Sequence, residues 1–90
     1  MNIFDDDDFM MTTPKDNYFS ISKTANQNIV EMELEKMFQR LAIAEKIMEE
    51  KGLEEEHERL LRAMVIDKEL EDRTNSIFIE LVGNIVTQCE

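Results

Sequence analysis

The chain is poor in everything that usually interrupts or staples a small fold. Its 90 residues hold two glycines, Gly52 and Gly83, one proline, Pro14, one cysteine, Cys89, and no tryptophan. So little punctuation leaves room for few turns and therefore for few, long elements. A single cysteine excludes an intramolecular disulfide and suits a reducing compartment. Only 10 bases stand against 21 acids, for a formal net charge of −11. That balance argues against direct binding to nucleic-acid phosphates or anionic lipid, both of which need a basic surface. No apolar run approaches the ~20 residues that a membrane helix requires, and the acidic start of the chain lacks the ~7–15-residue apolar segment of a signal peptide. These absences point to a soluble protein of the cytoplasm, or of the host cytoplasm were the chain viral.

What is present divides into two parts. Residues 1–24 carry the proline, much of the Thr, Ser and Asn, and the stretch "NIFDDDDFM", Asn2 to Met10. No helical period emerges there, and the segment reads as an extended or disordered acidic tail. Within it, Thr13-Pro14-Lys15-Asp16 has the order of a helix start, a capping threonine followed by proline at the first helical position, enough for one short turn. Tyr18, Phe19 and Ile21 follow and could fold back onto the rest.

Residues 25–90 form the helical part. Thr24-Ala25-Asn26-Gln27 and Asn28-Ile29-Val30-Glu31 both resemble a capping box. Beyond them Val30, Leu34, Met37, Leu41, Ala44 and Met48 recur at alternating steps of four and three, a single stripe of coiled-coil-like period. Phe38 and Ile47 widen it. This predicts a helix over about 26–51, stopped by Gly52 in a left-handed conformation with Leu53 packed back on Met48. A second helix is expected over about 54–73, with Glu54-Glu55-Glu56 favoured in its first turn by the helix dipole. A third is expected over about 76–88, the last two being either continuous or broken near Thr74-Asn75-Ser76, three good caps. Leu60, Leu61, Ala63, Met64, Val65 and Ile66 are dense enough to suggest burial on more than one face. The fold class is therefore all-α, an antiparallel helical hairpin or small three-helix bundle with an extended acidic N-terminal tail.

Length sharpens the expectation. Helix 26–51 would be roughly 37 Å long, and an unbroken run over 54–88 roughly 52 Å. A plain hairpin then leaves the apolar block Ile77 to Val86 without a mate. It must be covered by a third helix, the N-terminal segment, a second copy or a different protein. A chain of this size buries only about 60% of its unfolded surface, so self-association or a partner is expected to add stability. On this reading Leu41 is core, and Leu41→Lys should unfold the protein. Leu81 faces a partner, and Leu81→Lys should damage association more than folding.

Signatures of catalysis are thin. His57, the lone histidine, stands in Glu54-Glu55-Glu56-His57, with the Glu-x-x-His spacing of di-iron bundles. A site of that kind needs two such motifs and two more inward glutamates, and Glu54 lies at a solvated helix start. Cys89 stands 32 residues beyond His57, roughly 48 Å along a straight helix. Phosphate-binding glycine loops and calcium loops are absent. The sequence therefore implies no catalytic residue, no cofactor and no metal site.

The aspartate block resembles, in character, the acidic, phenylalanine-ended tips of bacterial single-stranded DNA-binding proteins over Phe4 to Phe9. In size and charge the chain is similar to small phage-encoded regulators of host enzymes. The leading reading is a non-catalytic acidic helical protein that binds and modulates another protein with a basic surface. Its candidate partner-binding residues are Phe4, Asp5, Asp6, Asp7, Asp8 and Phe9 in the tail, and Ile77, Phe78, Leu81, Val82 and Ile85 near the C-terminus. Two alternatives stand beside it. One is a nucleic-acid mimic, although residues 53–90 carry ten acids over roughly 57 Å, one per ~6 Å, against one charge per ~1.7 Å of duplex DNA. The other is a structural homo-oligomer, with a homodimer as its simplest form.

Overall fold

Thr13 and Pro14 open the first helix of the computed structural model, which describes residues 13–89. The Thr13 hydroxyl accepts a 3.1 Å hydrogen bond from the Asp16 amide, and Pro14 occupies the first turn, where its missing N–H is no loss. The helix does not stop after one turn. α1 spans Pro14–Thr24, so the expectation of an extended segment up to residue 24 is corrected from Pro14 onward. The physical reason is packing: Tyr18 is buried and Ile21 and Ala25 pack on the same core, which supplies what weak local periodicity does not. The Asp5–Asp8 block lies outside the described residues.

α2 spans Gln27–Lys51. Neither expected capping box starts it. Asn26 is the cap, its side chain accepting from the Asn28 amide at 2.9 Å. The Gln27 side-chain amide donates back to the carbonyls of Ser22 and Ala25, at 2.7 and 3.0 Å, and so ties off the end of α1. Gly52 ends α2 as expected, at φ 68° and ψ 37°. Leu53 N–H reaches the Met48 carbonyl at 2.8 Å and Gly52 N–H the Glu49 carbonyl at 3.3 Å, the paired bonds of a Schellman stop.

α3 spans Glu54–Ala63 and α4 spans Lys68–Cys89. The break therefore lies at Met64–Asp67 and not at Thr74–Ser76. Met64 and Ile66 donate to carbonyls three residues back, tightening the end of α3. Val65 and Ile66, β-branched and weak helix formers, occupy the turn. Asp67 then caps α4, accepting from the Leu70 amide at 3.2 Å. Thr74, offered as a cap, instead turns its hydroxyl onto the Leu70 carbonyl at 2.9 Å and stays inside the helix.

The four helices, with no strand among the described residues, form a small all-α bundle. Its core is Tyr18, Val30, Leu81 and Ile85, ringed by Ile21, Ala25, Ile29, Leu34, Met37, Phe78 and Val82. Thus α1, the first half of α2 and the second half of α4 meet. Glu33 bonds to Asn84 and Gln88, and Arg40 bonds to Glu80, so α2 ascends as α4 descends: the pair is antiparallel. The rest of α2, with α3, extends away from this core. The outline is accordingly long and flat, 53 × 32 × 15 Å, with a radius of gyration of 16.3 Å where a compact chain of this length would give about 12 Å.

Candidate functional site

The expected C-terminal anchors are largely spent inside the molecule. Leu81 is 4% exposed and Ile85 0%, both in the core, and Phe78 and Val82 are half-buried against it. Only Ile77 keeps much of its surface in solvent. The cover is α1: the Tyr18 ring lies 5.7 Å from that of Phe78, and Phe19 lies 5.2 Å from Tyr18 and 6.2 Å from Phe78. Burial pushes the Tyr18 hydroxyl above its ordinary pKa. The roles expected of two leucines are therefore exchanged. Leu81 is core, while Leu41 is about half exposed. Phe4, Asp5, Asp6, Asp7, Asp8 and Phe9 lie outside the described residues.

One buried group escaped the sequence reading. Glu33 is only 1% exposed. Its carboxylate accepts from Gln88 Nε2 at 2.6 Å, from Asn84 Nδ2 at 3.1 Å and from Lys36 Nζ at 3.1 Å. Burial alone would raise its pKa. The bonds from Gln88, Lys36 and Asn84, with the Lys36 charge, outweigh it and hold the carboxyl below its usual range. Both oxygens are engaged by the chain itself, so the cluster clasps α2 to α4. The signal was available: Glu33 lies three residues after Val30 and four before Met37, on the apolar stripe, and Asn84 and Gln88 are spaced i, i+4.

The surface has its own features. Val65 and Ile66 were expected to be buried, yet they are 92% and 85% exposed at the corner between α3 and α4. Beside them a groove of about 380 Å³ runs between α1 and α4, lined by Lys15, Met64, Val65, Ile66, Lys68 and Phe78 among others. His57 lines two smaller grooves, one with Leu60, Leu61, Met64 and Leu70, the other with Glu45, Met48, Glu49 and Glu54. Among the described residues no three His, Cys, Asp or Glu side chains are grouped to hold a metal ion. No helix among them is long and apolar enough to cross a membrane.

Acids on α3 and α4 are extensively paired. Arg59 bonds to Glu56, Arg62 to Glu58 at 3.8 Å, Lys68 to Asp72 at 2.6 Å, and Arg73 to Glu69 at 3.1 Å. These exposed i, i+3 and i, i+4 pairs are each weak, but together they dilute the negative field of that face.

No curated protein and no solved structure matches the chain. The family described as a domain of unknown function, DUF2018, matches residues 9–90, nearly the whole length, and the chain belongs to that family.

Proposed function

We propose that the chain is a non-catalytic helical module that binds and modulates another protein, acting in the cytoplasm. The observation that carries this reading is the Met64–Asp67 corner. Two branched apolar side chains, Val65 and Ile66, project into water beside an open groove. Their exposure costs solubility and adds nothing to the core, which suits an anchor awaiting a pocket. Asp67 and Glu71 balance Lys15 and Lys68 in the groove's lining, so the preference for a partner with a basic surface rests on the chain's net charge of −11. The Asp5–Asp8 block, flanked by Phe4 and Phe9, would hasten encounter with such a surface. The free, exposed Cys89 suits a reducing compartment. Mimicry of nucleic acid is the less favoured reading, because each base on α3 and α4 already neutralises a neighbouring acid.

A photo-crosslinking residue at position 66, introduced in living cells, tests the proposal. The expected result is one discrete protein adduct that disappears when Val65 is changed to Asp. A chain that forms no adduct at 66, or one insensitive to Val65→Asp, would show that the corner is not a docking site.

A further inference from the structure

We infer that the segment Phe9-Met10-Met11 docks back on its own chain, in the groove between α1 and α4 lined by Pro14, Asn17, Ile79 and Val82. This groove shares no lining residue with the one beside Val65 and Ile66, and the inference does not depend on the docking reading there.

The surface to be covered belongs to α4. One face of that helix, with Phe78, Leu81 and Ile85, is spent on the core. A second apolar row, Ile79, Val82 and Val86, runs beside it at helical spacing. Val82 leans on the core, but Ile79 is 59% exposed and Val86 43%. Where this row passes the start of α1 it forms the groove, about 280 Å³ in volume. The room suits one or two large apolar side chains.

The position of the groove selects the occupant. Its α1 wall is Pro14 and Asn17, the first and fourth residues of the helix that Thr13 caps. At a capped helix start the residue before the cap is steered over the fourth helical position. Here that pairs residue 12 with Asn17, so the chain enters α1 across the mouth of the groove. Met11 stands three residues before Pro14, within about 10 Å of contour. So short a tether sets an effective concentration on the order of millimolar or more, an advantage that a second copy or a separate protein lacks.

Composition agrees with position. Residues 9–12, Phe-Met-Met-Thr, are an uncharged window between Asp8 and Lys15. They enter an apolar groove without desolvating a charge, and methionine adapts to an irregular one. The aspartate block cannot follow them in, and its repulsion from an acidic molecule keeps it in water. The family match draws the same boundary by a separate route. It begins at Phe9, so it takes in the segment ahead of α1 and leaves out Asp5–Asp8. On this arrangement Phe9 serves the fold, and Phe4 is the aromatic anchor left to a partner.

Methyl nuclear magnetic resonance on the full chain tests this. The ε-methyl groups of Met10 and Met11 should show cross-peaks to the methyl groups of Ile79 and Val82, within one copy when labelled and unlabelled protein are mixed. Ile79→Asp should remove them and reduce the docked fraction at least about tenfold, the methionine shifts moving to those of a peptide of residues 1–13. Asn17→Glu charges the opposite wall at an exposed position and should do the same, with helical circular dichroism retained, so the test stands even if Ile79→Asp unfolds the chain. Absence of the cross-peaks overturns the inference. So do methionine shifts that Asn17→Glu leaves unmoved, or cross-peaks that arise only between different copies. Crosslinking of a different protein at residue 66 reads the other groove and is independent of these outcomes.

Discussion

One uninterrupted helix, α2, passes through two different environments. Before residue 38 the apolar side chains Ile29, Val30, Leu34 and Met37 lie against α1 and α4, and even a carboxylate, Glu33, is buried there with its donors. After residue 37 the same stripe, with the same spacing, faces water. The residue types barely change between the halves. What changes is whether another element is present, and that depends on where α4 crosses α2 and where α3 turns away. An apolar stripe therefore marks a face that requires cover, without stating whether its own chain provides it.

The largest test of this contrast exchanges two leucines. Leu81→Lys places a cation in the closed core and should abolish most of the helical circular dichroism at 25 °C. Leu41→Lys should leave the monomer's helices in place. If Leu41→Lys melts a dilute monomer as thoroughly as Leu81→Lys, the two halves are equally core and the contrast fails.

A smaller change probes the closed half alone. Ile85→Ala removes a fully buried side chain, and should lower unfolding free energy by about 2–5 kcal/mol in urea titrations of monomeric protein. The equivalent truncation Ile43→Ala, on an exposed position, should cost under about 0.5 kcal/mol at the same dilution.

Glu33 offers a pH test of the same half. Its folded pKa lies below its unfolded value, so in the interval between them the unfolded chain binds the extra proton and stability rises with pH. The contribution is complete above the ordinary carboxylate value of about 4.3 and is lost as pH falls through the depressed folded value. Glu33→Gln should cost about 1.5–3 kcal/mol at pH 7 and flatten the acid limb of the stability curve. An acid limb identical to wild type would mean that the clasp does not form in solution.

Two glycines complete the series. Gly52→Val forces a left-handed turn on a branched residue and should cost about 1–2 kcal/mol, read as a fall in Tm. Gly83 sits within α4 with open space where a methyl group would project, so Gly83→Ala should stabilise by about 0.5–1 kcal/mol. A destabilising Gly83→Ala would mean that another surface approaches α4 closely at that point.

The sequence by itself determined the helical class, the capped start at Thr13-Pro14 and the stop at Gly52, because each is local chemistry: a period, a cap, a left-handed glycine. It also showed that the Ile77–Val86 block needed cover. Only the tertiary structure decided what supplies that cover. α1 has too weak a pattern to announce itself and becomes a helix by packing Tyr18 on Phe78 and the core around Leu81 and Ile85. The break at Met64–Asp67 was likewise hidden, since Val65 and Ile66 look like core until the turn is seen to hold them in water. Glu33 was legible only in part: its place on an apolar stripe and the i, i+4 spacing of Asn84 and Gln88 stand in the sequence, but that these meet across more than fifty residues is decided by the fold. Periodicity and capping act over one or two turns of chain, whereas burial is set by which distant elements meet, and that is a property of the assembled fold.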